Sequence, residues 1–165
     1  MRTGNLPHAQ YRRFDGMREF EMLLDEMIPR TQSVIRVFDK ALSRDYNSPP
    51  RYELLRQFLL ASRSSRLMIV VHEPELIERQ CPRVIELARQ FSSTVKIHQT
   101  LRPARHVYDP FVIFDASHYL HRFHHDHLRA AQGLDDVIGA QQLLDRFAEI
   151  WEASAPAIAA DKTGL

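Results

Sequence analysis

The sequence lacks most of the features that identify an enzyme at first sight. Its 165 residues contain one cysteine, Cys81, which excludes an internal disulfide and a thiolate zinc site. The five glycines occur singly, so there is no glycine-rich phosphate loop, and no GxSxG motif occurs. A formal charge of +1 at pH 7 gives no overall attraction to nucleic acid or anionic lipid. The chain therefore carries no ordinary catalytic motif.

Long apolar runs are missing as well. No stretch approaches the roughly 18 apolar residues that a membrane-spanning helix needs. Residues 1–13 also lack the apolar run of a signal peptide. We therefore expect a cytoplasmic protein without membrane contact. Residues 1–13 and 155–165 are predicted to be flexible tails on either side of one domain, residues 14–154.

Amphipathic helices alternate with buried strands along the chain. Apolar residues at helical spacing predict helices over 17–28, 51–63 and 136–154, and another that breaks at Cys81-Pro82. Strands are predicted at "SVIRVFD", "RLMIVVHE", "STVKIH", "DPFVIFD" and "HYLHRFH". This alternation predicts an α/β fold, a mixed β-sheet with helices on both faces and with "RLMIVVHE" and "DPFVIFD" near its centre. The turn Asp115–Ser117 is too short for a crossover, so the last two predicted strands are antiparallel.

Polar side chains follow the predicted parallel strands where these end. Asp39, His72, Glu73 and His98 lie at or near such ends. Binding sites in folds of this class lie at the carboxyl ends of the parallel strands. The sequence therefore places a candidate site at that edge of the sheet.

Five of the nine histidines lie between His118 and His127, with Asp126 among them. Imidazole and carboxylate groups are metal ligands. However, successive residues of a strand point to opposite faces, and no pair matches an established ligand spacing such as HExxH. We therefore expect a solvated hairpin end that binds no stoichiometric metal, and we expect no other cofactor.

The order of elements, with "YDPFVIFD" followed by a hairpin, resembles one lobe of the phospholipase D superfamily. The signature of that family, His-x-Lys-x4-Asp, runs along a buried strand into a turn. If Asp115 is the family aspartate, Tyr108 stands at the histidine and Pro110 at the lysine. The resemblance assigns nucleophilic attack to the histidine and neutralisation of the phosphate to the lysine. Tyrosine is a poor replacement for the histidine and proline cannot do the work of the lysine, so phosphoryl transfer should be lost.

A closer resemblance is to a bacterial family of unknown function. Its members are similar to degenerate single phospholipase D lobes and occur alone or next to GNAT-type acetyltransferases. The matching pieces span about residues 14–154 and are "VFDKALSRDYNSP", "YELLRQFLLASR", "ELARQFSSTVKIH", "FVIFDASHYLHR" and "LLDRFAEIWEAS". This resemblance carries no established reaction.

From these resemblances we expect a non-catalytic module that binds an anion, acts as a scaffold or regulates a partner enzyme such as an acetyltransferase. Arg122 should leave its strand near the family's phosphate-binding residues, where a guanidinium can hold an anion. The candidate anion-binding residues are Arg122, His124, Asp115 and Tyr108. The alternative is a phosphodiester hydrolase or transferase with a rewired site around Asp115 and the His118–His127 segment.

Two expectations concern partners. Phospholipase-D-like lobes usually pair, so we expect a homodimer, and the alternative is a monomer whose last helix covers the same surface. Nucleic-acid binding would require arginines gathered on one face. The sequence offers "RPAR" at 102–105, Arg122 and Arg129, which scattered solvent-exposed arginines explain better. We therefore do not expect nucleic acid as a ligand.

Overall fold

The computed structural model describes residues 8–158, which contain eight strands and five helices. The strands are β1 (Gln10–Asp15), β2 (Val34–Asp39), β3 (Arg66–Val71), β4 (Val95–Thr100), β5 (Phe111–Phe114), β6 (His118–Arg122), β7 (Arg129–Leu134) and β8 (Ser154–Pro156). They form one mixed sheet in the order β1-β7-β6-β5-β2-β3-β4-β8. This confirms the predicted fold class, and β5 and β3 lie near the centre of the sheet as expected, on either side of β2.

The helices are α1 (Met17–Met27), α2 (Pro49–Leu60), α3 (Glu75–Gln80), α4 (Pro82–Gln90) and α5 (Val137–Glu152). One apolar core joins the first sheet face to α1, α2, α3 and α4, and a second core joins the other face to α5. The break between α3 and α4 falls at Cys81-Pro82, as the sequence predicted, because proline cannot donate the backbone hydrogen bond that a continuous helix needs. Helices thus cover both faces of the sheet.

The strand directions bring several chain segments to one edge of the sheet. Strands β2, β3 and β4 are parallel, so their carboxyl ends lie side by side. Strand β5 runs antiparallel to β2 and pairs Phe111 with Phe38, so it begins at that same edge. Strand β6 ends there too, since the Arg122 N–H donates to the Pro110 carbonyl at 2.8 Å. The chain therefore gathers the end of β2, the start of β5 and the end of β6 in one place.

A close approach between β6 and β7 requires a glycine. Gly133 pairs with Tyr119, and a Cβ at Gly133 would lie 2.3 Å from the tyrosine ring. The Tyr119 hydroxyl donates to Asp136 at 2.6 Å, and Asp136 accepts the Gly139 N–H at the start of α5. Asp136 thus caps the last helix.

The structure differs from the predicted tails at both ends. Gln10–Asp15 forms the edge strand β1, antiparallel to β7, and Ser154–Pro156 forms β8 beside β4. Strand β1 buries Phe14 alone, and β7, "RAAQGL", has no β-branched residue, so neither carries a strong strand pattern. The rest of both expected tails, residues 1–7 and 159–165, lies outside the described residues. Within residues 8–158, no helix is both long enough and apolar enough to span a membrane.

Candidate functional site

A pocket of about 210 Å³ opens where β2 and β6 end and β5 begins. We call it the strand-end pocket, and its polar lining includes Asp39, Lys40, Arg122 and His125. Beside it lies a wider depression of about 440 Å³, the outer groove, lined by residues that include His72, Arg105 and Tyr108. Lys40 and His125 line both, so the pocket and the groove adjoin each other.

Arg122 is the last residue of β6 and lines the strand-end pocket. Its Nη2 donates to the carbonyl of His125 at 2.6 Å and to that of His127 at 3.2 Å. Its Nε is buried, and no described residue accepts a hydrogen bond from it. A buried charged donor without a partner is costly in free energy, so this group calls for an acceptor that residues 8–158 do not supply.

The turn after β6 brings His124, His125 and Asp126 together. The His125 N–H donates to the Tyr108 carbonyl at 2.8 Å, which fixes this residue against the start of β5. His124 Nδ1 accepts the N–H of Asp126 at 3.1 Å. One potential metal-ligand atom from each of the three side chains lies within 4.8 Å of the others. The expectation that these histidines point to opposite faces was wrong, because the strand ends at Arg122 and alternation stops there.

The other histidines of the segment have local partners. His118 Nδ1 accepts the Asp135 N–H at 2.9 Å, and His121 Nε2 lies 2.7 Å from the Asp109 carboxylate. Tyr119 packs in the core under α5, whereas Leu120 packs in the core on the opposite sheet face. The hairpin therefore alternates along β6 as the sequence predicted.

Asp39, at the end of β2, lines the pocket with an unusual carboxyl group. Burial raises the pKa of Asp39 to about 7, against the lowering effects of the Lys40 N–H, which donates to it at 2.7 Å, and of the nearby Arg122 charge. Near neutral pH this carboxyl is therefore only partly ionised. Its charge can change with small changes in pH or in the charge of a bound ligand.

A buried arginine builds the wall of the pocket on the α1 side. Arg51, at the start of α2, is 1% exposed and lies 2.7 Å from the carboxylates of both Glu21 and Asp25. Its guanidinium also stacks over Tyr46, 4.8 Å from the ring centre. Burial raises the pKa of Glu21, and Arg51 opposes that rise. Glu21 and Tyr46 line the pocket, so the arginine holds both in place.

His72, at the end of β3, supports the outer groove. Its Nε2 donates to the Val107 carbonyl at 2.7 Å, which leaves Nδ1 to accept from the Thr100 hydroxyl at 2.5 Å. The ring thus ties the chain before β5 to the end of β4. His98 instead stacks on Trp151, with ring centres 3.7 Å apart, and lines neither the pocket nor the groove.

The four candidate anion-binding residues do not all meet. Arg122 lines the strand-end pocket, and Tyr108 lines the outer groove and is half exposed. His124 lies on the turn above Tyr108, with ring centres 5.9 Å apart, and lines neither depression. Asp115 follows the far end of β5, about 16 Å along the strand from Pro110.

Asp115 has a different task from the one that the sequence suggested. Its carboxylate accepts three backbone N–H groups, from Gln32 at 2.9 Å, Ser33 at 2.7 Å and Val34 at 3.1 Å. The residue has a φ of 57°, in the left-handed region that aspartate tolerates better than most residues. Asp115 therefore fastens the β5–β6 turn to the start of β2, at the edge of the sheet away from the pocket.

Sequence reasoning missed Lys40, Glu21 and Arg51 as site residues, and it considered His125 only as a member of the His118–His127 segment. Lys40 could have been found, because it is one of three lysines and directly follows the strand-end residue Asp39. His125 was hidden among neighbours of the same type. The pairing of Glu21 with Arg51 joins residues 30 positions apart and has no local signal.

Comparison with protein families identifies a family for this chain. A family model described as "Domain of unknown function (DUF7931)" matches residues 17–160. Curated proteins give no match to this chain. The match covers most of the chain, so it establishes membership of a family without naming an activity.

Solved structures support the fold. The chain is similar to Nuc from Salmonella typhimurium, a phospholipase D family member, with a TM-score of 0.67 and 14% identity over 92% of this chain and 100% of that one. It is also similar to NucT from Helicobacter pylori, with a TM-score of 0.65 and 12% identity over 91% of this chain and 100% of that one. At these identities the likeness shows a phospholipase-D-like fold alone.

A third similar structure belongs to a larger protein. It is TrmBL2, an archaeal chromatin protein described as showing a novel mode of DNA binding. The TM-score is 0.66 and the identity 13%, over 94% of this chain but 56% of TrmBL2. The chain thus spans little more than half the length of that protein, and the likeness again concerns the fold.

Proposed function

Because the chain belongs to the DUF7931 family and has a phospholipase-D-like fold, we propose that it is a non-catalytic module that binds a phosphate-type anion in the strand-end pocket. One observation carries this proposal. Arg122 lines the pocket with a buried Nε for which no described residue serves as acceptor. A phosphate or phosphodiester oxygen would satisfy that donor with a charge-assisted hydrogen bond.

The charges around the pocket favour an anion. Lys40 and Arg122 supply positive charge. The Glu21 carboxylate is already paired with Arg51 at 2.7 Å, and the pKa of Asp39, raised by burial to about 7, leaves that carboxyl partly neutral at pH 7. Lys40 lies 4.0 Å from the Glu73 carboxylate and the exposed Asp126 also lines the pocket, so Arg122 is the cation on which the proposal rests.

The residues at the family's catalytic positions support binding without turnover. Pro110 lines the strand-end pocket and offers neither charge nor a donor, and Tyr108 lies half exposed in the outer groove. Covalent phosphoryl transfer needs a nucleophile together with neutralisation of the phosphate charge. Lys40 and Arg122 can still neutralise the charge of a phosphate in the pocket. We propose that the nucleophile has been lost.

Calorimetric titration with inorganic phosphate tests the binding proposal. We expect one saturable site in the wild-type protein and at least tenfold weaker binding in Arg122→Ala, because a charged hydrogen bond is worth about 1.5–3 kcal/mol. Arg129→Ala is the matched control, since Arg129 is exposed on the neighbouring strand β7 and lines neither depression. Equal affinities in all three proteins would contradict the proposal.

A second candidate function is phosphodiester hydrolysis, and one observation favours it. The imidazole of His125 lines the same pocket as Lys40 and Arg122, and its Nδ1 has no hydrogen-bond partner among residues 8–158. Asp115 cannot take part in such a site, because its carboxylate binds backbone N–H groups at the opposite edge of the sheet. Turnover of a phosphodiester that requires His125 would favour this second function.

We further propose that the module works with partners, as a homodimer or beside an enzyme such as an acetyltransferase. The segment carrying Arg122 and His125 also exposes Phe123 and Leu128, at 37% and 54%. We propose that these two side chains form part of the contact surface for the partner. Light scattering at micromolar concentration should give about twice the monomer mass of 19.3 kDa. A mass of 19.3 kDa with no added partner would contradict the homodimer.

A further inference from the structure

We propose that the turn after β6 binds one divalent transition-metal ion of the zinc type through His124, His125 and Asp126. This site lies beside the strand-end pocket and goes beyond the proposed anion binding. It also reverses the expectation from strand alternation, since the three ligands follow the end of the strand.

The ligand atoms are close enough for one ion. One atom from each of the three side chains lies within 4.8 Å of the others. Zinc bonds of about 2.0–2.2 Å in tetrahedral geometry place ligand atoms about 3.3–3.6 Å apart. His124 and Asp126 are partly or largely exposed, with side-chain exposures of 37% and 71%, so both can rotate to close the difference.

The state of His125 points to a missing partner. Its Nδ1 is buried and lies 3.0 Å from the Asp126 carboxylate, yet the two atoms are not aligned for a hydrogen bond. A cation held between the imidazole nitrogen and the carboxylate oxygen would satisfy both atoms. The competing arrangement is a proton on Nδ1 that donates to Asp126 after a small rotation, and the experiment below separates the two.

His124 presents its lone pair to the same place. Its Nδ1 accepts the Asp126 N–H, so this nitrogen is unprotonated in the neutral ring and is oriented toward the turn. The rings of His124 and His125 lie 4.6 Å apart between centres. A metal ion would take the Nδ1 lone pair in place of a 3.1 Å backbone hydrogen bond.

The backbone of the turn is fixed before any ion binds. Arg122 donates to the carbonyls of His125 and His127, and the His127 N–H donates to the His124 carbonyl at 3.1 Å. The His125 N–H is held by the Tyr108 carbonyl. Ligands on a fixed backbone lose less conformational entropy on binding, which raises metal affinity.

The donor set selects the class of ion. Two imidazoles and one carboxylate suit zinc, nickel or copper rather than magnesium or calcium, which prefer oxygen ligands alone. Three protein ligands leave a fourth position for water or an anion. His125 and Asp126 line the strand-end pocket, so that position lies next to it.

The test uses untagged protein freed of metal by a chelator. Calorimetry with zinc should show one equivalent bound, and cobalt should produce the visible absorption of a tetrahedral site. His124→Ala should weaken zinc binding at least about tenfold, since loss of an outer partner alone costs about 10–100-fold. Asp126→Asn, on a largely exposed side chain that can change without unfolding the protein, should weaken it as well. His106→Ala, an exposed histidine outside the turn, should leave it unchanged.

Two further variants keep this inference separate from the proposed function. Lys40→Ala should weaken phosphate binding and leave zinc binding intact, because Lys40 lines the pocket but is not among the three ligands. His124→Ala should retain phosphate binding in chelator-treated buffer, because His124 does not line the pocket. No saturable zinc binding by the wild type, or equal binding in His124→Ala and His106→Ala, would overturn the metal site.

Discussion

Arg122 Nη2 donates to the backbone carbonyl of His125 at 2.6 Å, so the last side chain of β6 holds the turn that follows it. The same nitrogen reaches the carbonyl of His127 at 3.2 Å. One guanidinium therefore both shapes the turn and lines the strand-end pocket. The Nε of Arg122 keeps its capacity for a ligand, since the bonds to the turn use Nη2.

Replacement of Arg122 should loosen the turn. In Arg122→Ala, the amides of His125 and His127 should exchange with solvent about tenfold faster or more, because each lost hydrogen bond is worth about 1 kcal/mol. Arg122→Lys should restore only part of the protection, since a single ammonium lacks the planar fork of the guanidinium. Hydrogen exchange followed by NMR measures this directly.

Amides of β3 serve as the internal control, because Ile69 and Val70 are buried and two strands, β5 and β2, separate β3 from β6. Unchanged protection of His125 and His127 in Arg122→Ala would show that the side chain does not hold the turn.

Asp39 should make stability depend on pH. Its folded pKa of about 7 exceeds its ordinary value of 3.8, so between these values the folded state binds more protons than the unfolded state. Stability should therefore fall as pH rises from about 4 to 7, and the penalty should be complete above pH 7. Asp39→Asn should be more stable than the wild type at pH 8, with an advantage that shrinks as pH falls.

Thermal melts of both proteins at several pH values measure this difference in stability.

Asp39 should also make anion affinity depend on pH, and sulfate is the suitable ligand for measuring this because its charge stays constant over that pH range. Sulfate affinity of the wild type should fall roughly tenfold as Asp39 ionises, a change that corresponds to about 1.4 kcal/mol of charge repulsion, and Asp39→Asn should flatten the curve. Parallel pH profiles for the two proteins would rule out this role for Asp39.

The sequence predicted the central sheet because its strands are long apolar runs. "RLMIVVHE" and "DPFVIFD" are buried on both faces and could be identified without any contact information. Strand β1 could not, since it is an edge strand whose only buried residue is Phe14. Its pairing with β7 depends on residues more than 100 positions apart, which no local pattern reveals.

Asp115 should contribute to stability and not to binding. Its carboxylate accepts three backbone N–H groups at the start of β2, so Asp115→Ala should destabilise the fold by about 1–3 kcal/mol. The φ of 57° adds to the cost of alanine, whereas Asp115→Asn should lose less. Urea denaturation measures the loss, and phosphate affinity of the folded variants should match that of the wild type. Weakened phosphate binding by a folded Asp115 variant would show that Asp115 contributes to the binding site.

Arg51 should be essential to the fold because it compensates the buried Glu21. Arg51→Met leaves the Glu21 carboxylate without its cation and should destabilise the protein by about 3–5 kcal/mol at neutral pH. Asp25→Asn removes a partner that is 40% exposed and should cost less than about 1 kcal/mol. The double variant Glu21→Gln/Arg51→Met should recover part of the lost stability. Urea denaturation of the wild type, Arg51→Met, Asp25→Asn and the double variant gives the comparison. Equal losses in Arg51→Met and Asp25→Asn would contradict this account.

Only those residues of the candidate site that stand at the ends of predicted strands could be identified from the sequence. Asp39 and Arg122 stand at the ends of recognisable strands, so their shared edge followed from strand direction. Asp115 was assigned to the site from the sequence because the family signature groups it with catalytic residues. In the structure, the strand carries Asp115 about 16 Å from Pro110. The convergence of His124, His125 and Asp126 depends on where β6 ends, and the alternation of residues cannot show that.

Calorimetric titration with bis-p-nitrophenyl phosphate tests the central claim most directly, because one trace reports both binding and hydrolysis. We predict heats that saturate at one site and return to baseline after each injection. The affinity should be at least about tenfold weaker in Arg122→Ala. Steady heat from continuing turnover in the wild type, lost in His125→Ala, would contradict the account of a binding module that has lost its chemistry.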